Sequence, residues 1–204
     1  HIQGKDELHS CNFRNIPDRI EAGTFMIASA ITSGDVKLLD MEPVHCQAVM
    51  QKLELGGCEV EQGNDWVRIA REGELQPVNI TTEVYPGFPT DLQAQWIALM
   101  SVAGGVSRIT ETIYPDRFTH VAELGRLGAD IRMADGTAIV YGGCDLKGAP
   151  VMSTDIRASA SLIVAALASR GRTDISRIYH IDRGYYRIED KLSELGADIR
   201  REVE

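Results

Sequence analysis

The stretch Thr154-Asp155-Ile156-Arg157-Ala158-Ser159-Ala160-Ser161 sets a hydroxyl, a carboxylate and a guanidinium at the mouth of a long apolar run, Leu162 to Ala168. Thr154 suits a helix N-cap, because its hydroxyl can accept from a backbone N–H that the helix leaves unpaired. A helix apolar on all sides belongs in an interior. A buried shaft with a charged tip can hold an anion, helped by the positive end of the helix dipole. The alternative is that Arg157 only neutralises Asp155, and this stretch alone does not choose between the two. Further candidates stand in turns or at helix starts: Asp91 in Phe88-Pro89-Thr90-Asp91, Arg117 in Tyr114-Pro115-Asp116-Arg117-Phe118, and Arg183 in Ile181-Asp182-Arg183-Gly184. A single surface arginine is ordinarily a solvated charge. A planar guanidinium can also donate two parallel bonds to a phosphate or carboxylate.

Bulk composition narrows the classes. The 204 residues suit one domain or two small ones, and 44% apolar content is enough for a core. A net charge of −9 argues against broad nucleic-acid binding. The cysteines, Cys11, Cys46, Cys58 and Cys144, form no C-x-x-C pair, so neither zinc nor thioredoxin-like chemistry is expected. With no apolar run near the roughly 20 residues of a bilayer span and no signal peptide, the expectation is a cytoplasmic protein with reduced thiols. The chain opens at His1, inside a strand-like segment, which suggests a piece of something longer.

The elements needed to hold these groups recur three times. Asp18-Arg19-Ile20-Glu21 starts a helix that is apolar all round through Thr24–Ile31. Val36–Leu39 then reads as a strand, Val44–Leu55 as an amphipathic helix, and Glu59–Glu61 with Trp66–Ile69 as a hairpin. In the second copy Thr90 and Gln93 form a capping box before the apolar run Trp96–Ala103. Arg108–Ile113 is strand-like, a helix is marked by Val121, Leu124 and Leu127, and Asp130–Met133 pairs with Thr137–Tyr141. The third copy runs from Thr154 through a strand at Ile175–Ile178 and a helix marked by Ile188, Leu192 and Leu195. It enters a last strand at Ala197–Arg200. Leu55-Gly56-Gly57, Leu127-Gly128-Ala129 and Leu195-Gly196-Ala197 recur about 70 residues apart, longer than common solenoid repeats. The economical packing bundles the three all-apolar helices inside, with their starts near Asp18, Asp91 and Asp155 gathered at one end.

Five phrases carry a family resemblance: Pro17 to Phe25, Phe88 to Gln95, Ile109 to Ile113, Thr154 to Ser161, and Ile178 to Tyr185. Together they resemble the C-terminal part of UDP-N-acetylglucosamine enolpyruvyl transferases, the UDP-N-acetylglucosamine 1-carboxyvinyltransferases, over nearly the whole chain. The resemblance implies an inside-out α/β (α+β) domain of three βαβαββ-like repeats, about 1–75, 76–145 and 146–204, with buried parallel helices. It implies that residues 1–204 form one domain, facing a second that is absent here. It also implies transfer of the enolpyruvyl group of phosphoenolpyruvate to the 3′-hydroxyl of UDP-N-acetylglucosamine with release of phosphate, the first committed step of peptidoglycan synthesis, without cofactor or metal. The family's Lys-Asn motif and reactive-cysteine loop are not found. Gly142-Gly143-Cys144 resembles that loop, but Asp145-Leu146-Lys147-Gly148 follows it, so Cys144 reads as structural.

By the same resemblance Asp91 is the group that takes the proton of the sugar hydroxyl, and it also binds substrate. Arg117, Arg157 and Arg183 surround phosphoenolpyruvate, Asp155 stands near the reacting carbons, and Ile113 touches the amino sugar through its backbone. Asp155 is about as well explained as a helix-start charge. His120 and His180 receive no proton-transfer role, and Asp182 is expected to orient Arg183. The isolated domain is expected to be inactive. Two other readings stand: a sister transferase acting on shikimate 3-phosphate, and a non-catalytic module that kept the fold.

Overall fold

The computed structural model describes residues 1–202. Three buried helices form its axis: α1 (Arg19–Ile31), α3 (Gln93–Met100) and α5 (Ile156–Ala168). All eight residues of α3 are buried, and eleven of thirteen in α1, as their apolar circumference demands. Small residues such as Ala94, Ala98, Ala158 and Ala160 let the rods approach closely. Gln95, near the start of α3, donates to Thr24 Oγ1 in α1 (3.1 Å), and Arg157, near the start of α5, reaches Asp91 just ahead of α3 (2.8 Å). The helix heads therefore meet at one end.

Sheets and outer helices cover the bundle. The first unit sends β1 (Asp35–Leu39) through α2 (Gln47–Leu55) into the hairpin β2 (Glu59–Gln62) and β3 (Trp66–Ala70), giving the antiparallel order β1-β3-β2. The second repeats it with β5 (Val106–Thr110), α4 (His120–Arg126), β6 (Asp130–Ala134) and β7 (Thr137–Tyr141), ordered β5-β7-β6, and adds the short β4 (Ile80–Thr81) parallel to β5. Central strands alternate as half-buried strands must: Val67 and Ile69 point inward from β3, Ala138 and Val140 from β7. On the outer face, Arg68 pairs with Asp35 and Glu61.

The third unit contains β8 (Pro150–Met152) parallel to β9 (Asp174–Ser176), then α6 (Ile188–Glu194). Ala197–Arg200, expected to be a strand, is not one. No counterpart of β3 or β7 lies beside it among the described residues, and extended backbone without a ladder partner is not a sheet. Instead this segment borders an open groove of about 1540 Å³ lined by Phe25, Ala28, Val36, Ile163, Leu167 and Ile175, among others.

Two capping expectations also change. Asp155, not Thr154, caps α5, because its carboxylate accepts from the N–H groups of Arg157 (2.7 Å) and Ala158 (2.9 Å). Thr154 pairs with the Thr119 hydroxyl instead. Thr90 and Gln93 form no capping box: a 3₁₀ turn at Thr90–Leu92 precedes α3, Thr90 turns to Glu111, and Gln93 is buried with its amide unpaired among the described residues. Asp18 does cap α1, while Glu21 pairs with Lys191.

Candidate active site

Asp91 lies in the tight turn that leads into α3, half-buried, with both carboxylate oxygens engaged. Arg117 Nη1 donates to Oδ1 at 2.5 Å, and Arg157 Nη2 donates to Oδ2 at 2.8 Å. Arg117 comes from the loop after β5 and Arg157 from the first turn of α5, so three elements converge on one carboxylate. Burial works to raise the pKa of Asp91. The Arg157 charge, the Arg117 hydrogen bond and the Arg117 charge outweigh it and hold the group below its usual value, as an anion. The arrangement is a carboxylate flanked by two partly exposed guanidiniums. Its parts suit proton abstraction and the binding of a small multivalent anion.

Asp155 sits beside this cluster. Burial opposes its ionisation, but the Ala158 and Arg157 N–H groups, the Thr119 hydroxyl (3.1 Å) and His120 keep its pKa below the ordinary value. His120 is 1% exposed and its Nε2 has no partner among the described residues. Burial drives its pKa down to about 4, Asp155 pulls the other way, and Arg117 adds to the lowering, so the imidazole is neutral at pH 7.

Ile113 is exposed on the same loop as Arg117, and its N–H donates to Glu111 Oε1. Arg183 is not joined to Asp91. It is exposed at the end of a 3₁₀ segment, Ile178–Arg183, and among the described residues it has no ion-pair partner. Its backbone is nonetheless held near the head of α5: a side chain at Gly184 would run into Ile156, and the Tyr185 hydroxyl meets that of Thr24 (2.8 Å). Asp182, expected to orient Arg183, pairs with Arg201 at 2.6 Å, because the 197–202 segment returns along that side. Cys144 donates to the Tyr141 carbonyl and stands apart from the cluster.

Glu111 is the group that sequence reasoning passed over. It is 5% exposed and accepts four hydrogen bonds, from Thr82, Thr90, Ile113 N–H and Tyr114 N–H. The signal was present in the alternation of β5: Ser107 and Ile109 face inward, so Glu111 falls on the same face, where a lone acid is conspicuous.

Three repeated units thus surround parallel buried helices, with an Arg–carboxylate–Arg cluster at the helix heads, an architecture shared with solved enolpyruvyl transferases. The enolpyruvyl transferase NikO from Streptomyces tendae superimposes with a TM-score of 0.81 at 31% identity, over 91% of this chain and 44% of that one. EPSP synthase from Acinetobacter baumannii shares the fold at a TM-score of 0.72 and 17% identity, over 93% of this chain and 44% of that one. The chain belongs to the EPSP synthase (3-phosphoshikimate 1-carboxyvinyltransferase) family, whose model matches residues 1–192. Curated relatives named UDP-N-acetylglucosamine 1-carboxyvinyltransferase are similar at 54% identity in Myxococcus xanthus and 52% in Oleidesulfovibrio alaskensis, each over 98% of this chain. The chain spans about half the length of these relatives, 48% in both.

Proposed function

We propose that this chain is one domain of a transferase that moves the enolpyruvyl group of phosphoenolpyruvate onto the 3′-hydroxyl of UDP-N-acetylglucosamine, releasing phosphate for peptidoglycan synthesis. The observation that carries the reading is Asp91 held between Arg117 and Arg157 at the helix heads. The identity of 50% or more to relatives bearing that name supports the choice of acceptor.

In this reading Asp91 takes the proton of the 3′-hydroxyl as its oxygen bonds to C2 of phosphoenolpyruvate, while C3 gains a proton. The resulting tetrahedral adduct then loses the C3 proton and phosphate, restoring the double bond. Asp91 is a weak base while two arginines hold it. A phosphate or carboxylate that draws Arg117 and Arg157 onto itself raises the basicity of Asp91, so donor binding prepares the base. Guanidiniums already in place stabilise the charge that grows on the departing phosphate. Arg183 closes the donor site from the 178–183 turn, Asp155 lies by the reacting carbons, and Ile113 meets the amino sugar through its backbone. The second domain, a cytoplasmic setting and inactivity of this chain alone belong to the same proposal.

The test joins this chain to the remaining half of the Myxococcus xanthus relative and measures phosphate release. Turnover should require both halves and the nucleotide sugar. Turnover with shikimate 3-phosphate instead would move the assignment to the sister reaction. Release by the lone chain would refute the need for a second domain.

A further inference from the structure

We propose that Glu111 is a positioning residue for this reaction and acts on the Asp91–Arg117 pair through the hydroxyl of Thr90. The inference rests on the assignment of Asp91 and Arg117 to the reacting site.

The geometry fixes the direction of every hydrogen bond in the path. Glu111 is ionised, because its four donors outweigh the burial that opposes its charge. An ionised carboxylate only accepts. The Thr90 hydroxyl, 2.8 Å from Oε2, must therefore donate its one proton to Glu111. That leaves the Thr90 oxygen as an acceptor, and Arg117 Nη1 donates to it at 3.2 Å while also donating to Asp91 Oδ1. The guanidinium is thus seated against two oxygens from adjacent residues of the same turn.

The other oxygen of Glu111 fixes the opposite side of the site. Oε1 accepts from the N–H groups of Ile113 (2.8 Å) and Tyr114 (3.0 Å) and from Thr82 Oγ1 (2.6 Å). Thr82 in turn accepts from Thr112 N–H at 2.9 Å. One buried side chain therefore pins the 112–114 loop to the end of β4, and the turn before α3 to the loop that carries Arg117. A structural anchor needs only the loop contacts. The Thr90 branch, which ends on the guanidinium holding Asp91, is what points to a role in the reaction.

Glu111→Gln separates the two branches. If the amide oxygen keeps the three donors now on Oε1, the amide nitrogen faces Thr90, and the hydroxyl proton loses its acceptor. Thr90→Val removes the same link from the other side, and Thr90→Ser keeps it. In the joined enzyme described above, each of Glu111→Gln and Thr90→Val should lower kcat about tenfold with KM for the nucleotide sugar nearly unchanged. The double variant should be no slower than the poorer single one, because both break one path, and Thr90→Ser should restore kcat. Single effects that multiply to about a hundredfold, or a Thr90→Val enzyme with full kcat, overturn the proposal. If Glu111→Gln does not fold, Glu111→Asp replaces it in the cycle, with the same two outcomes. In the 204-residue chain, Glu111→Gln should shift the Ile113 and Tyr114 amide resonances while Thr90→Val leaves them in place. Movement of these same Ile113 and Tyr114 resonances by Thr90→Val would argue for general loosening and against the relay. Asp91→Asn is the control: normal turnover there refutes the functional reading, whereas an inert Asp91→Asn with independent Thr90 and Glu111 effects refutes the relay alone.

Discussion

At the scale of single residues, the site is a contest for two guanidiniums. Arg157 and Arg117 both pair with Asp91, so in the proposed reaction removing one would change the base as well as the anion site. Arg157→Ala should reduce turnover of the joined enzyme on the order of a hundredfold and move the acidic limb of its pH profile upward, since Asp91 loses a charge that favours its ionised form. A steady-state pH series checks both effects. His120 gives a prediction for the fold itself. Its pKa drops from 6.5 to about 4 on burial, so the unfolded chain takes up the proton first. Its contribution is complete above pH 6.5 and is lost as pH falls toward 4. Urea midpoints should decline across that window, and His120→Gln should flatten the decline. The depressed acids Asp91, Glu111 and Asp155 act lower, their contributions present above the ordinary carboxylate range of about 4 and lost as pH falls through their folded values. Residue types and motif phrases made the three polar groups Asp91, Arg117 and Arg157 visible in the sequence. What they touch was not: Asp91 and Arg157 are far apart in the chain, and only packing of α3 against α5 brings them together.

At the scale of elements, the buried rods hold the site in register. Leu99 and Ile97 in α3 are wholly enclosed, and Leu99→Ala should cost about 2–5 kcal/mol in chemical denaturation by leaving a cavity. Gly23 in α1 is a contact point between rods, since a methyl group there would meet Leu92 just before α3. Gly23→Ala should lower stability and displace the turn that carries Asp91, seen as a lower thermal midpoint together with weaker nucleotide-sugar binding in the joined enzyme. Element types were legible because periodicity is local: all-apolar runs became inner helices, one-sided helices became outer ones, and alternating runs around Asp135-Gly136 became a hairpin. Caps were not legible to the residue. Adjacent Thr154 and Asp155 both suit the position, and the Thr119 hydroxyl, from another part of the chain, bonds to both.

At the scale of the molecule, the first two units each build a ladder of three or more strands, and among the described residues the third builds one of two. In the first two, a central strand, β3 or β7, lies between an edge strand and the strand that enters the sheet. In the third, β9 has β8 on one side and the groove beside Phe25 and Ile163 on the other. The repeated Leu-Gly-Ala phrase correctly announced a third copy up to α6, but it could not announce what stands next to Ala197–Arg200, because pairing is non-local. Apolar walls left wet in this way resemble a half-built interface, and unpaired strand edges template further pairing. The chain alone should therefore brighten a hydrophobic dye and associate as its concentration rises, and both behaviours should vanish when the other half of a relative is joined to it. Light scattering and dye titration would measure this. The groove, whose lining does not include Asp91, thereby governs whether the chain that carries Asp91 stays dispersed.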